Sequence, residues 1–245
     1  MLLNILYQDE YLVAVNKPSG LLVHRSWIDK DETEFALQIV RDQIGQYVYP
    51  VHRLDKPTSG VLLFALDKET AKRLTNLFIE KKVLKEYLAV VRGYTDEEGT
   101  IDYALKEQLD KMTDKLVRKD KEPQEAITDY KNLATLELPY PVSRYPVARY
   151  SLVHLRPLTG RKHQLRRHMK HIMHPIVGDT KHGRGEHNKL FREKLDIHQL
   201  LLTAFKITLP HPYDKSTLVI QAPFDEAFLK MLELFKYKQE LLTTP

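Results

Sequence analysis

The chain has 245 residues, room for one large domain or two small ones around a real core, and its 42% hydrophobic and 29% charged residues are those of an ordinary globular protein. Its longest apolar run, Val61 to Leu66, falls far short of the ~18 residues a membrane-spanning helix needs, and the lack of cysteine excludes disulfides, thiolate nucleophiles, iron–sulfur clusters and Cys-based zinc sites. The net charge of +5 is unevenly spread: Arg156 to Lys194 holds eleven basic residues against three acidic ones, a net of +8, which leaves −3 for the rest.

The N-terminus has no basic region and meets acid at Asp9, so it does not read as a secretion signal, and the expectation is a cytoplasmic protein with no membrane segment. Ile5-Leu6-Tyr7 and Tyr11-Leu12-Val13-Ala14-Val15, separated by a polar turn, predict a pair of strands. Thr33 to Ile44 reads as a helix with Thr33 as its N-cap and Ala36, Ile39, Val40 and Ile44 on one face. The polar loop His52 to Gly60 leads straight into the apolar strand Val61 to Leu66. Asp67 then caps a helix running to Lys82, and Tyr87 to Val91 is a strand ended by Gly93.

Asp110 to Gln124 is dense in charge and reads as an exposed excursion. Thr128 to Leu138 and Tyr150 to Leu155 are further strands. Within the basic segment, Leu165, Met169 and Ile172 mark the buried face of a helix, with Arg166, Arg167 and Lys170 largely off that stripe. Ile207 to Leu209 and Leu218 to Gln221 are late strands, and Asp225 opens a final helix with Phe228, Leu229, Leu232 and Phe235. Strands outnumber helices and mostly follow one another directly. The expected fold is therefore mixed α/β (α+β), a largely antiparallel central sheet with flanking helices and loops, in a single domain spanning 1–245.

No Walker loop, dinucleotide glycine pattern, Gly-x-Ser-x-Gly elbow or His-Glu-x-x-His signature is present. His163, His168, His171 and His174 crowd one helix, but they are interleaved with Arg167 and Lys170, which would repel a cation, so phosphate contact or core packing is favoured over metal binding. The basic segment is either a solvated face or a patch that meets a polyanion. Asp55 stands between Arg53 and Lys56 in the Pro- and Gly-containing loop delivered onto a buried strand, a common setting for a reactive side chain and equally one for a turn-capping aspartate.

A resemblance decides between these readings. Asn16-Lys17-Pro18-Ser19-Gly20-Leu21-Leu22-Val23-His24, His52-Arg53-Leu54-Asp55-Lys56-Pro57-Thr58-Ser59-Gly60, Lys85-Glu86-Tyr87 and Thr159-Gly160-Arg161-Lys162-His163-Gln164-Leu165-Arg166 resemble, in order, the motifs of the RluA-type pseudouridine synthases. The resemblance covers nearly the whole chain, without the N-terminal RNA-binding extension, and lies nearest the branch that acts on uridine 65 of transfer RNA. It implies the pseudouridine synthase catalytic fold and isomerisation of uridine, with Asp55 as the catalytic carboxylate working on the sugar–base linkage while uracil detaches, turns and rejoins through carbon. Such a group must stay ionised in a dry pocket, which calls for a fixed opposite charge.

Arg166 matches the arginine that pairs with Asp55, and its planar guanidinium can hold a carboxylate in bidentate geometry. Tyr87 matches the tyrosine that stacks on the target base, its plainer reading being strand packing. Arg53 matches the residue that takes the place of the extruded nucleotide, and would otherwise read as a phosphate contact. Lys17, His24, His52 and Thr58 are expected to shape the pocket. Arg161, Lys162, Arg167 and Lys170 are expected to bind RNA phosphates in a salt-sensitive way. The reaction conserves atoms and redox state, so neither cofactor nor metal is expected, and the partner is a transfer RNA substrate met by a monomer with no obligate protein partner. A ribosomal RNA substrate is the alternative within the family, and a non-catalytic RNA-binding module or a metal-dependent phosphodiesterase on the His cluster are alternatives outside it.

Overall fold

In the computed structural model, residues 1–24, 33–107, 122–239 and 242 are described, and they include ten strands joined in one sheet and five helices. The expected N-terminal pair forms as β1 (Asn4–Gln8) and β2 (Leu12–Lys17), whose turn is tied by Asp9 Oδ1 accepting the N–H groups of Tyr11 and Leu12. After α1 (Ala36–Ile44) come β3 (Tyr49–Pro50), β4 (Ser59–Ala65), α2 (Lys68–Ile79), β5 (Leu84–Arg92) and β6 (Glu98–Asp102). The long antiparallel ribbon β7 (Ile127–Leu138) and β8 (Ala148–Pro157) precedes α3 (Gln164–His171) and α4 (Gly185–Leu195), and the chain returns as β9 (Leu202–Pro210), β10 (Thr217–Gln221) and α5 (Glu226–Leu234).

The strand order is β1-β2-β4-β9-β5-β8-β7-β6, with β10 beside β9 and β3 beside β4. Every pairing between these strands is antiparallel except β4 with β9, which run parallel at Ser59–Thr203 and Gly60–Ala204. Strand β4 is buried at every position, which is why it reads as a continuous apolar run rather than an alternation. Leu62 and Phe64 pack with α1 residues Ala36 and Val40 on one face, and Val61, Leu63 and Ala65 with Leu74 of α2 on the other. Strand β5 divides likewise: Ala89 and Val91 meet Leu165 and Met169 of α3, while Leu88 and Val90 meet the core beneath α4 and α5. The loop that leads into β4 is thus attached to a strand buried on both faces.

Several boundaries differ from expectation. Helix α1 starts at Ala36, not Thr33, because the N–H groups of Ala36 and Leu37 donate to the carbonyls of Leu22 and Val23, so no side-chain cap is needed. Helix α2 keeps the expected Asp67 cap on Thr70 N–H but stops at Ile79, before Lys81 takes φ +56°. Strand β6 and helix α4 were not expected. Charge hides α4 in the sequence, yet Asn188, Leu190, Phe191 and Leu195 are buried beneath it. In α5 the buried positions are Phe228, Met231 and Leu232, whereas Leu229 is 45% exposed. Most of the charged stretch Asp110 to Gln124 lies outside the described residues. Among the described residues no helix is long and apolar enough to cross a membrane.

Candidate active site

The loop that carries Asp55 is stapled to the loop after β2. Lys17 is fully buried, and its Nζ donates to the carbonyl oxygens of Pro18, Leu21 and Lys56 at 2.9, 2.8 and 3.0 Å. The Lys56 carbonyl also accepts the Gly20 N–H at 2.9 Å, and Ser19 Oγ donates to Pro57 O at 2.8 Å. A three-donor ammonium suits three converging carbonyls. Burial pushes the Lys17 pKa down to about 7, with the nearby charge of Asp55 opposing the fall. On the other side Leu54 is buried in the α1 core, and Thr58 N–H closes a turn on Asp55 O at 3.0 Å. Gly60 follows at φ +111°, where a Cβ would stand 2.2 Å from Ala204 O, so only glycine lets β4 run against β9 here.

Asp55 meets Arg166, as expected, but not in the expected geometry. Arg166 Nη1 donates a single bond of 3.0 Å to Asp55 Oδ2. The bidentate partner is Asp179: Nε reaches its Oδ2 at 2.7 Å and Nη2 its Oδ1 at 2.9 Å. Arg166 is not off the buried side of α3 but buried itself, with a side chain 5% exposed against 1% for Asp179 and 26% for Asp55. Burial alone would pull the guanidinium down, yet the two carboxylates outweigh it and hold its pKa above the ordinary value. For Asp179 burial pushes upward, and Arg166 with the N–H groups of His182 and Lys181 brings the carboxyl below the usual range.

Asp179 escaped the sequence reading. It is one of three acids in the segment that holds eleven bases, and that isolation was the available signal.

Tyr87, near the start of β5, packs between the α1 and α3 cores. Burial, and then the charge of Asp55, push its phenol well above the ordinary value, so the hydroxyl keeps its proton at neutral pH. Its neighbour Lys85 is lowered by burial and donates to Thr159 O at 3.3 Å. His163 sits at the N-cap of α3 with φ +55°, a left-handed conformation that costs a non-glycine residue energy and recurs at functional sites. Its Nε2 stands 3.9 Å from Asp55 Oδ2 and its Nδ1 3.0 Å from His182 Nε2. Burial holds His163 near pKa 4, so this imidazole pair is neutral around Asp55.

Four residues of the pocket motifs have structural places. His52 Nε2 accepts the Leu63 N–H at 3.0 Å, and burial holds its pKa down to about 3. Thr58 is buried, and exposed His24 lies close enough to Arg53 for that charge to depress it. Arg53 is exposed beside Asp55. Arg161 is exposed, with Nε donating to Glu125 O at 3.0 Å, Lys162 and Arg167 are half-buried, and Lys170 is exposed on α3. The histidines do not gather. His168 is fully buried between Thr128 Oγ1 and Tyr103 O, and His174 bonds Arg92 O. Among the described residues no group of three or more His, Asp or Glu side chains could hold a metal ion.

A model of the RNA pseudouridylate synthase family matches residues 11–171, the stretch that includes Asp55, Tyr87 and Arg166. The chain belongs to that family. Relatives named tRNA pseudouridine synthase C agree along almost the whole length: the Vibrio parahaemolyticus protein is 55% identical over 240 residues, covering 98% of each chain, and the Vibrio vulnificus protein 56% identical over 242 residues, covering 99% of each. The solved structure of human RNA pseudouridylate synthase domain containing 1 superposes with a TM-score of 0.71 at 26% identity, over 98% of this chain and 93% of that one. As a pseudouridine synthase, the protein is an isomerase that converts uridine in RNA to pseudouridine.

Proposed function

We propose that this synthase acts on transfer RNA, at uridine 65, with Asp55 as the catalytic carboxylate. The observation that carries the catalytic part of this reading is the placement of Asp55 on a doubly tied loop, in contact with Arg166 and within the electrostatic reach of a buried, protonated Tyr87. The isomerisation breaks the N1–C1′ bond, forms C5–C1′, moves a proton onto N1 and releases the proton of C5. In the proposed scheme Asp55 acts at C1′ or on the sugar so that uracil detaches. Arg166 keeps the carboxylate charged and aimed, and Tyr87 stacks on the base while it turns.

Exposed Arg53 stands beside the carboxylate, where it fills the gap left in the RNA helix by the extruded nucleotide. Arg161, Lys162, Arg167 and Lys170, on α3 and the loop before it, take phosphates and position the RNA without reading its sequence. Residues 1–245 serve as one catalytic unit, a monomer working in the cytoplasm. Transfer RNA as substrate is supported by the relatives' names and whole-length identity.

The test is to incubate the protein with transfer RNA and ribosomal RNA transcripts and map pseudouridine by carbodiimide-dependent reverse-transcription stops. A single stop at uridine 65 of transfer RNA is expected. Modification confined to ribosomal RNA, or to another transfer RNA position, would overturn the substrate assignment and leave the chemistry intact.

A further inference from the structure

We infer that Tyr103, stacked on His171, is a binding platform for an unpaired RNA base near the target uridine. The inference rests on the RNA-modifying reading of the site and adds a subsite to it. Tyr103 follows directly on β6 and is 45% exposed. It is nonetheless held in place. The His171 ring lies against it at 3.7 Å between centroids with 16° between planes. The Tyr103 N–H donates to Ala126 O at 3.1 Å, and its carbonyl takes a 3.0 Å bond from His168, which is itself fully buried against Thr128 Oγ1. A ring fixed by its backbone and one neighbour, yet left half open, offers a π-face without losing side-chain entropy on binding.

The surroundings specify the ligand. Arg167 is close enough for its charge to be coupled to the Tyr103 phenol, and exposed Lys170 lies one residue before His171. Both cations belong to α3, the helix whose Arg166 holds Asp55. Arg166, which bonds Asp55, and His168, which bonds the Tyr103 carbonyl, stand two positions apart on α3, so one helix ties both places together. Aromatic faces interleaved with cations are how single-stranded nucleic acid is held, and every base has a face to stack. An unpaired base next to the target uridine is the ligand that this ring and its cations fit.

The experiment compares native protein with Tyr103→Ala and Tyr103→Trp on transfer RNA transcripts, by steady-state pseudouridine formation and by fluorescence of transcripts carrying 2-aminopurine next to the target. Tyr103→Ala is expected to raise KM by about tenfold, the scale of one lost base–aromatic stack, with kcat within about twofold of native, and to lose the fluorescence quenching seen on binding. Tyr103→Trp should restore both. Equal KM for the native and Ala proteins, or a fall in kcat or melting temperature with KM unchanged, would overturn the platform. Failure of the native protein to modify any transfer RNA would instead remove the substrate reading, a result separable from any Tyr103 effect.

Discussion

Arg166 serves two carboxylates unequally. Asp179 grips it at 2.7 and 2.9 Å, and Asp55 receives one bond of 3.0 Å from the nitrogen left over. Asp179 Oδ1 also accepts the N–H groups of Lys181 and His182, at 2.9 and 2.8 Å, so the carboxylate that orients the arginine is fixed by backbone. The positive charge beside Asp55 is therefore held in place independently of Asp55. Asp179→Asn replaces a charge-assisted pair with a weaker one, and kcat for pseudouridine formation is expected to drop by about ten- to a hundredfold with KM within twofold. Single-turnover rates on saturating RNA check this, and a loss confined to KM would contradict it. The motifs placed Asp55, Tyr87 and Arg166 in the sequence. They said nothing of Asp179, because its partner lies thirteen residues away and the pairing exists only once α3 and the following turn are folded together.

Elements legible in the sequence were those whose pattern is local. Asp67 before α2 and Asp225 before α5 both accept an N–H three residues on, as their residue type and position announce. The β1–β2 pair shows itself by two short apolar runs around an acidic turn. Strand β6, with its burial pattern mostly exposed, and helix α4, polar on most of its surface, owe their structure to partners distant in sequence, and no local pattern betrays them. The parallel contact of β4 with β9 is equally non-local, joining residues 59 and 203, and it makes Gly60 obligatory. Gly60→Ala would force a Cβ to within 2.2 Å of Ala204 O in a backbone conformation that L-residues rarely adopt. The expected cost is about 3 kcal/mol or more, a fall of roughly 10 °C in melting temperature. Calorimetry checks it, and an unchanged melting temperature would mean that β4 and β9 can separate freely.

Over the whole molecule, the charge balance and the mixed, mainly antiparallel sheet followed from composition and strand spacing, while the way α3 and the β4 loop meet required the folded chain. Three half-buried histidines with lowered pKa make its stability depend on pH. His52 titrates near 3 in the fold, because desolvation and then the charge of Lys85 disfavour its protonated form, and near 6.5 when unfolded. His163 and His187, each lowered by burial to about 4, act in the same direction. Below pH 6.5 the unfolded chain takes up protons that the folded one refuses, so stability is full above that pH and is lost as pH falls toward 4 and 3. His52 alone contributes a loss of about 2 kcal/mol between pH 6.5 and 5. Urea unfolding at both pH values should show at least that loss, and His52→Gln, whose amide oxygen can still accept the Leu63 N–H, should flatten it. A native protein equally stable at pH 5 and 6.5 would contradict the neutral state of these rings.

That Asp55 carries the isomerisation can be read from tritium release, because the C5 proton leaves only when the new carbon–carbon bond forms. Transfer RNA transcripts labelled at uridine C5 would be given to the native protein and to Asp55→Asn, with RNA affinity measured for both. The native protein is expected to release one equivalent per transcript, and Asp55→Asn to do so at a rate at least about a thousandfold lower at unchanged affinity. Release by Asp55→Asn at close to the native rate would contradict it and move the chemistry to another group in the pocket.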